Sequence, residues 1–324
     1  MTNPEARPHE IICRDQPSGG VELVEPRDVP LGGPRAMRVR RTLPTRQRSL
    51  IGAWCFLDHY GPEDVAVSGG MNVPVHPHTG LQTVSWLFTG EIEHRDSAGH
   101  HAFVRPGELN LMTAGSGISH SERSTRSVSV LHGVQLWVAL PEHARFTERT
   151  FDHYVPPVLT GDGWSGQVFL GALLGDVSPV RTWTPLVGAE LRLEPGASFP
   201  VEVEPAFEHG VLVDSGRVTV AGREVAQGQL AYVPGGADVL TLENAAEPAR
   251  LVVLGGPPFG EQIVMWWNFV GRSHDEIVRY RAAWGDEVGG RGGDGRPMFA
   301  LPEGDPEAPL PAPVLPNARI RPRS

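Results

Sequence analysis

Four residues with metal-binding side chains occur as two pairs, and one residue separates the members of each pair. The first pair is His76 and His78, and the second is His120 and Glu122. Residues two apart on an extended strand point to the same face, so each pair can present both side chains to one point. If the two strands are neighbours, three imidazoles and one carboxylate converge there. That donor set suits a single iron, copper, nickel, manganese or zinc ion.

The alternative is that these four side chains are buried in a barrel without a metal. Burying three histidines and one glutamate without a shared partner costs free energy, which favours the metal site. His100 and His101 are adjacent in the chain. Adjacent strand residues point to opposite faces, so at most one of them could face a site, and we favour a solvated turn. His59 lies outside the pattern and is not expected to bind the metal.

The residues around the first pair have the spacing of the first cupin motif, and those around the second pair are similar to the pirin family. In the cupin motif Gly70 is followed by five residues, His76, one residue, His78, three residues and Gln82. Most cupins have a ligating glutamate where this chain has Gln82, whereas here the carboxylate is Glu122. The pirin-like run is Met112-Thr113-Ala114-Gly115-Ser116-Gly117-Ile118-Ser119-His120-Ser121-Glu122, and further pirin-like pieces are residues 89–97, 106–109 and 134–138.

The resemblance is strongest over residues 50–140 and implies an all-β fold. We expect two cupin barrels in tandem, each a double-stranded β-helix or jelly roll, followed by a C-terminal helix. Most pirins have a basic residue where this chain has Ser116, so a positive charge near the expected pocket is missing. The neighbouring Gly115 and Gly117 would let the backbone pass close to the metal.

The second half of the chain repeats the first, as expected of a bicupin. Gly216 takes the place of Gly90, and Gly228 takes the place of Gly107. No histidine of the first site then has a histidine counterpart, so we expect no transition-metal site in the second barrel. A hard cation such as Ca²⁺ could bind clustered carboxylates, but we favour a solvated strand face. The counterparts of His76, His78, Gln82, His120 and Glu122 are Glu202, Glu204, Glu208, Thr241 and Glu243.

Composition and turn-forming residues divide the chain into six segments. Proline and glycine clusters break regular structure between the two halves, and Ser273 with Glu276 forms a capping box before apolar residues at helical spacing. The segments are a polar N-terminal arm (1–20), the metal-binding N-terminal cupin (21–145), a connector (146–180), a C-terminal cupin without metal (181–262), a C-terminal segment with the helix (263–285) and a Gly/Pro-rich, mostly irregular tail (286–324).

The bulk composition is typical of a soluble globular protein, with 324 residues of which 40% are hydrophobic and 20% charged. The net charge of -10 argues against nucleic acid or an anionic membrane as the main partner. Two cysteines, Cys13 and Cys55, do not make a disulfide framework, which favours a reducing cytoplasm. Neither a signal peptide nor an apolar run long enough for a membrane span is visible.

The resemblance implies a quercetin 2,3-dioxygenase-type oxidoreductase that opens flavonol-like substrates with O₂. His76, His78 and His120 would hold Fe(II), with Mn, Co, Ni, Cu or Zn as other possible divalent ions. Glu122 would be a metal ligand and also the catalytic base that accepts the flavonol 3-hydroxyl proton. The expected small molecules are therefore O₂ and a flavonol-like or other anionic ligand.

The resemblance leaves open a function of a different class, an iron-dependent redox-sensing regulator that acts through protein–protein contacts. No DNA-binding motif is visible, so such a regulator would not contact nucleic acid directly. A storage or structural metal site is less favoured, because closed structural sites prefer cysteine and histidine ligands. We favour the enzyme, and oxygen uptake with quercetin would distinguish it from the regulator.

Overall fold

The structure is a computed structural model that describes residues 7–16, 19–31, 37–125, 127–244, 247–291 and 296–316. It confirms the expected all-β fold: two β-barrels follow one another along the chain, and a helix lies beyond the second barrel. Within the described ranges, none of the helices has the length and apolar composition needed to cross a membrane.

The first half of the chain contains strands β1 to β13 and one short helix, α1. Their bounds are Ile11–Cys13 (β1), Glu22–Val24 (β2), Arg27–Leu31 (β3), Met37–Leu43 (β4), Trp54–Asp64 (β5), Val65–Ser68 (α1), Asn72–His78 (β6), Leu81–Thr89 (β7), Ile92–Asp96 (β8), His101–Val104 (β9), Leu109–Thr113 (β10), Ile118–Ser124 (β11), Val130–Ala139 (β12) and Thr150–Tyr154 (β13).

The second half contains strands β14 to β27 and the C-terminal helix, α2. Their bounds are Leu159–Gly161 (β14), Trp164–Leu170 (β15), Ala172–Leu173 (β16), Asp176–Val177 (β17), Val187–Leu193 (β18), Ser198–Glu202 (β19), Glu208–Ser215 (β20), Arg217–Val220 (β21), Arg223–Ala226 (β22), Leu230–Val233 (β23), Val239–Asn244 (β24), Ala249–Gly256 (β25), Ile263–Trp266 (β26), Phe269–Gly271 (β27) and His274–Val288 (α2).

The two barrels have the same strand order. The first is built from a seven-stranded sheet, β13-β10-β7-β12-β5-β4-β3, and a four-stranded sheet, β6-β11-β8-β9. The second has the sheets β2-β23-β20-β25-β18-β15-β14 and β19-β24-β21-β22. The correspondence, strand by strand, supports the internal duplication. Strand β2 from the N-terminal region and β14 and β15 from the expected connector all lie in the second barrel.

The largest hydrophobic core lies between the two seven-stranded sheets. Val84 and Trp86 of β7 share this core with Leu212 and Leu254 of the second barrel. Trp86 Nε1 also donates a hydrogen bond to Glu190 Oε2 at 2.8 Å, across the same interface. Because this face of β7 is buried against the second barrel, the alternate residues of the strand are left to face the interior of the first barrel.

The C-terminal helix begins where the capping box predicts. Ser273 Oγ accepts a hydrogen bond from the backbone N–H of Glu276 at 3.3 Å. The Glu276 carboxylate accepts from the backbone N–H of Arg272 and from the Arg145 guanidinium, which ties the helix start to the first barrel. The buried residues of the helix, at the predicted spacing, are Ile277, Tyr280 and Trp284.

Residues 296–316, here called the C-terminal strap, pack against the sheet that carries β6. Phe299 of the strap is fully buried and contacts Trp284 edge-on, with ring centroids 5.6 Å apart. The backbone N–H of Leu310 donates to the Val75 carbonyl of β6 at 2.8 Å. The strap has no helix or strand of its own, yet it covers the face of this sheet that is turned away from the interior of the first barrel.

Candidate metal centre

The two sequence pairs lie on neighbouring antiparallel strands, β6 and β11. His120 lies directly opposite His76, and the register shifts by one residue between His120 and Glu122. Directly opposed residues of an antiparallel pair point to the same face. The strand pairing therefore brings His76, His78, His120 and Glu122 to the interior of the first barrel, and each of the four is at most 1% exposed.

The three imidazoles converge on one point. The Nε2 atoms of His78 and His120 are 3.1 Å apart, and the ring centroids of His76 and His120 are 4.4 Å apart. Potential ligand atoms of His76, His78 and His120 all lie within 4.8 Å of one another. Glu122 belongs to an overlapping group with His94 and His120, whose potential ligand atoms meet the same limit.

Backbone carbonyls orient two of the histidines. His76 Nδ1 is 2.9 Å from the Pro74 carbonyl, and His78 Nδ1 is 3.2 Å from the Asn268 carbonyl. A carbonyl only accepts hydrogen bonds, so each Nδ1 carries the hydrogen and each Nε2 keeps its lone pair. The His76 Nε2 atom is buried and has no hydrogen-bond partner among the described residues. A bound cation would satisfy that atom, so the donor set fits a divalent metal.

Burial keeps the three histidines neutral. It lowers the pKa of His76 from its ordinary value of 6.5 to about 3. The pKa values of His78 and His120 are also well below that ordinary value, because of burial first and the neighbouring imidazoles second. Metal ligation requires neutral imidazole, so the three side chains have the protonation state that ligation needs at neutral pH.

The opposite sheet contributes polar side chains to the same interior. The Ser85 hydroxyl lies 3.4 Å from Glu122 Oε1 and 2.8 Å from Gln135 Oε1. Gln82, the residue at the usual cupin glutamate position, lies on the same face of β7 as Val84 and Trp86, away from that interior, and donates from Nε2 to Thr113 Oγ1 at 2.9 Å. Glu122 lies in a potential ligand group with His94 and His120, so it is the candidate carboxylate ligand.

Sequence reasoning missed a third pair of the same kind, His94 and Asp96 on β8. Strand β8 pairs with β11, where His94 lies opposite Glu122 and Asp96 lies opposite His120. Both residues are buried. The same spacing of two residues that revealed the first two pairs was present here, and it would have identified this pair as well.

His100 and His101 do not reach the candidate ligands. Their side chains are 40% and 46% exposed, as expected for solvated residues, although His101 is the first residue of β9 and not part of the expected turn. His100 Nδ1 contacts the Asp96 carboxylate at 3.1 Å, and His101 Nε2 contacts Glu93 Oε1 at 2.7 Å. His100 is therefore connected to His94 and the candidate ligands only through its contact with Asp96.

His59 lies at the interface between the barrels. Nε2 of His59 and Nε2 of His132 both donate to Asp214 Oδ1 of the second barrel, at 2.7 and 2.5 Å. Arg40 Nη2 lies 3.2 Å from His59 Nδ1, and Arg250 Nη1 donates to Asp214 Oδ2 at 3.3 Å. Burial lowers the pKa of His59. His59, His132 and Asp214 are close enough together to hold an ion. The guanidinium groups of Arg40 and Arg250 would repel a cation there, so we interpret the cluster as an interdomain hydrogen-bond network.

The carboxylates aligned with the first site do not converge in the described part of the second barrel. Glu202 and Glu204 are exposed, as expected for a solvated strand face. Glu208 is buried, which raises the pKa of its carboxyl. Its two oxygens accept hydrogen bonds from the Gly52 backbone N–H at 2.6 Å and from the Tyr232 hydroxyl at 2.8 Å. This carboxylate therefore joins the two barrels.

The glycines before His120 are required by neighbouring backbone segments. Gly115 has a φ of +53°, and a Cβ there would lie 2.0 Å from the Thr147 carbonyl oxygen. A Cβ on Gly117 would lie 2.8 Å from the Met298 carbonyl oxygen of the strap. We expected these glycines to let the backbone pass close to the metal. They instead let it pass close to the segments that contain Thr147 and Met298. Ser116 is exposed between them.

Comparison with protein families matches both barrels. Residues 36–138 match the model described as Pirin. Residues 188–288 match the model described as Pirin C-terminal cupin domain. Together the two matches cover the strands of both four-stranded sheets.

Similar proteins and structures match most of the chain. A Pseudomonas aeruginosa protein provisionally named a quercetin 2,3-dioxygenase is 43% identical over 298 residues, which are 90% of this chain and 93% of that protein. A pirin-like protein of Caulobacter vibrioides is 38% identical over 259 residues, 76% of this chain and 87% of that protein. The crystal structure of a quercetin 2,3-dioxygenase from Acinetobacter baumannii has a TM-score of 0.85 and 36% identity, over 93% of this chain and 97% of that one.

Proposed function

This chain belongs to the pirin family, and on that basis we propose that it is a metal-dependent oxygenase of the quercetin 2,3-dioxygenase type. Its substrates would be O₂ and a flavonol-like anion. The proposed ligands are His76, His78, His120 and Glu122, with Fe(II) as the metal. The names of the Pseudomonas and Acinetobacter relatives support this reaction class.

One observation carries the proposal: three neutral imidazoles and a carboxylate are enclosed together, and His76 Nε2 is buried without a hydrogen-bond partner in the described part of the chain. A set of three histidines and one carboxylate leaves a divalent ion with one net positive charge. Four protein ligands also leave coordination positions open. The net positive charge and the open positions together favour an anionic oxygen ligand.

The protein groups have separate tasks in this reaction. A bound iron would supply the Lewis acid that holds the substrate oxygen and the electron exchange with O₂. The Glu122 carboxylate would accept the 3-hydroxyl proton, and the Ser85 hydroxyl, 3.4 Å from Glu122 Oε1, would help to orient it. The buried barrel interior would exclude bulk water from the reacting groups.

The decisive test combines metal analysis with a flavonol assay. The purified protein is analysed for metal, stripped, and reloaded separately with Fe(II), Mn, Co, Ni, Cu and Zn. Loss of quercetin absorbance and uptake of O₂ are then followed together. We expect metal-dependent consumption of both. A His76→Ala protein, prepared in the same way, serves as the metal-poor control.

The alternative is the redox-sensing regulator that acts through protein contacts. A metal-loaded wild type that leaves quercetin and O₂ unconsumed with every ion would contradict the oxygenase and favour this alternative. The buried free thiols of Cys13 and Cys55 fit a reducing compartment for either function, so we propose a cytoplasmic protein.

A further inference from the structure

The three candidate histidine ligands differ in what holds their Nδ1 atoms. For His76 and His78 the partner is a backbone carbonyl, which leaves no doubt about the direction of the hydrogen bond. For His120 the partner is Nδ1 of His94, at 3.3 Å. An imidazole nitrogen can donate or accept, so the tautomer of His120 depends on the tautomer of His94.

Asp96 determines the tautomer of His94. Its Oδ2 atom lies 3.2 Å from His94 Nε2, and a carboxylate can only accept. His94 Nε2 therefore carries the hydrogen, and in the neutral ring Nδ1 has the lone pair. His94 Nδ1 then accepts from His120 Nδ1–H, which leaves His120 Nε2 bare. This is the atom that lies 3.1 Å from His78 Nε2 in the candidate centre.

The Asp96 carboxylate is itself fixed in place. Its Oδ1 atom accepts from the backbone N–H of Ala98 at 2.8 Å and from that of His100 at 3.1 Å. The side chain is fully buried. Burial opposes its charge, but hydrogen bonds from His94 and His100 hold the pKa of the carboxyl below its ordinary value. On the other side, the His94 ring packs on Phe151, with centroids 4.8 Å apart.

We propose that His94 is a positioning residue that, held by Asp96, fixes the ligand atom of His120 and strengthens it as a donor. This inference rests on the proposed metal centre and adds two residues to it. A chain of carboxylate, imidazole, imidazole and metal pushes electron density toward the ion. Of the three proposed histidine ligands, His120 is the one connected by hydrogen bonds, through His94, to the negative charge of Asp96. This connection favours the more highly charged oxidation state of a redox-active ion.

His94 could instead be a direct ligand, since its potential ligand atoms lie close to those of His120 and Glu122. Direct ligation would use Nδ1, because Nε2 is bonded to Asp96. Nδ1, however, is the atom that contacts His120. The hydrogen-bond geometry therefore favours the positioning role, and the two roles predict different results for one conservative substitution.

The test uses three variants and one control in the full-length protein. His94→Phe keeps the ring volume against Phe151 but removes the acceptor. His94→Asn places an amide oxygen near the position of Nδ1 and can restore the acceptor. Asp96→Asn removes the charge but keeps an oxygen for the backbone N–H groups. His101→Phe is the matched control, because His101 is half exposed and bonds Glu93 instead.

The readouts are the Zn²⁺ dissociation constant, from competition with a chromophoric chelator, and the electron paramagnetic resonance spectrum of the Cu²⁺-loaded protein. We expect His94→Phe to weaken binding about 10- to 100-fold, the usual effect of losing a partner of a metal ligand. His94→Asn should recover most of that loss. The Zn²⁺ dissociation constant of Asp96→Asn should lie between those of wild type and His94→Phe. The Cu²⁺ spectrum should change in His94→Phe and Asp96→Asn and stay the same in His101→Phe.

Two results would overturn the inference while leaving the metal centre intact. One is a His94→Phe protein with wild-type affinity and spectrum. The other is a loss of binding that His94→Asn does not recover, which would make His94 a ligand or a packing residue. A wild type that binds no Zn²⁺ or Cu²⁺ would remove the proposed centre, and the inference with it. Circular dichroism of each variant establishes that the comparison is made between folded proteins.

Discussion

At the scale of single residues, the candidate centre depends on which nitrogen of each histidine is available. The Pro74 and Asn268 carbonyls occupy Nδ1 of His76 and His78, and the His94 ring occupies Nδ1 of His120. All three therefore offer Nε2 to the same point. The carboxylate of Glu122 is the fourth proposed ligand, and Gln82, a neutral amide, cannot replace its charge.

The Glu122→Gln variant separates binding from chemistry. The amide keeps the size and a possible oxygen ligand, so we expect partial metal retention. It cannot accept the 3-hydroxyl proton, so flavonol oxidation should fall by about 10²–10⁴-fold, the range for loss of a general base. Turnover per bound metal is the quantity to measure. Glu91→Gln, at a turn outside the barrel interior, is the control, and unchanged turnover in a metal-replete Glu122→Gln protein would exclude Glu122 from the reaction.

Single histidine substitutions test the ligand set. His76→Ala, His78→Ala and His120→Ala should each sharply lower metal occupancy, because each removes one of four bonds to the ion. His101→Ala should retain the metal, and His100→Ala should too, since it reaches the site only through Asp96. Metal content per chain is measured after dialysis against a weak chelator. If His120→Ala kept its metal while His101→Ala lost it, the assignment would be wrong.

His209 gives the protein a pH dependence that is independent of the metal. Burial lowers its pKa from 6.5 to about 4. Between those values the unfolded chain binds more protons, so the free energy of unfolding falls as the pH falls. His209→Phe keeps an aromatic ring but does not titrate. Between pH 7 and pH 5, wild type should lose roughly 2 kcal/mol relative to this variant. Urea unfolding at both pH values measures it, and equal losses would refute the buried neutral histidine.

At the scale of elements, the strands that carry the candidate ligands are supported from outside the barrel by α2 and the C-terminal strap. Phe299 is the main apolar anchor of the strap, because it is fully buried beside Trp284 and Phe269. The hydrogen bond from Leu310 to Val75 then holds the strap on β6. An irregular segment of the chain is thereby held against the sheet that presents His76 and His78.

Removing the strap's anchor should destabilise the fold. Phe299→Ala leaves a cavity in the cluster around Trp284, and such substitutions cost about 3–5 kcal/mol. Leu301→Ala is the matched control, because Leu301 is 44% exposed and its loss should change stability little. Urea unfolding measures both variants. Equal stabilities of the two variants would mean that the strap does not support the barrel.

At the scale of the whole molecule, the duplicated barrels have diverged into one barrel with a candidate metal centre and one that completes the fold. Two carboxylates of the second barrel bond residues of the first barrel across the interface between them. Glu208 bonds Gly52, and Asp214 bonds His59 and His132. In the described part of the chain, these groups of the second barrel therefore hold the two barrels together.

One metal per chain is the expected stoichiometry. Asp214→Asn should leave it unchanged, because Asp214 lies in the interdomain network and not in the proposed centre. The same substitution should lower the free energy of unfolding by about 3 kcal/mol or more, since hydrogen bonds to a buried charge contribute about 1.5–3 kcal/mol each. Asp162→Asn, at an exposed turn, is the control. Two metals in wild type and one in Asp214→Asn would instead make the network a second site.

The sequence by itself determined the fold class, the duplication and the two pairs of candidate ligands. Strand periodicity and glycine spacing are local properties, so they can be read along the chain. The i, i+2 spacing of His76 with His78 and of His120 with Glu122 reflects strand geometry, which does not depend on the rest of the fold. The capping box at Ser273 is local in the same way, and α2 begins there.

Only the tertiary structure decided what lies next to what. The pairing of β8 with β11 put His94 and Asp96 beside the candidate ligands His120 and Glu122, because register between strands depends on the whole sheet. The interface role of His59 depends on Asp214, which is 155 residues away in the chain. The packing of the strap also joins distant segments. Contacts of this kind gain their free energy from burial in a common core, and no spacing along the chain encodes which surfaces will share it.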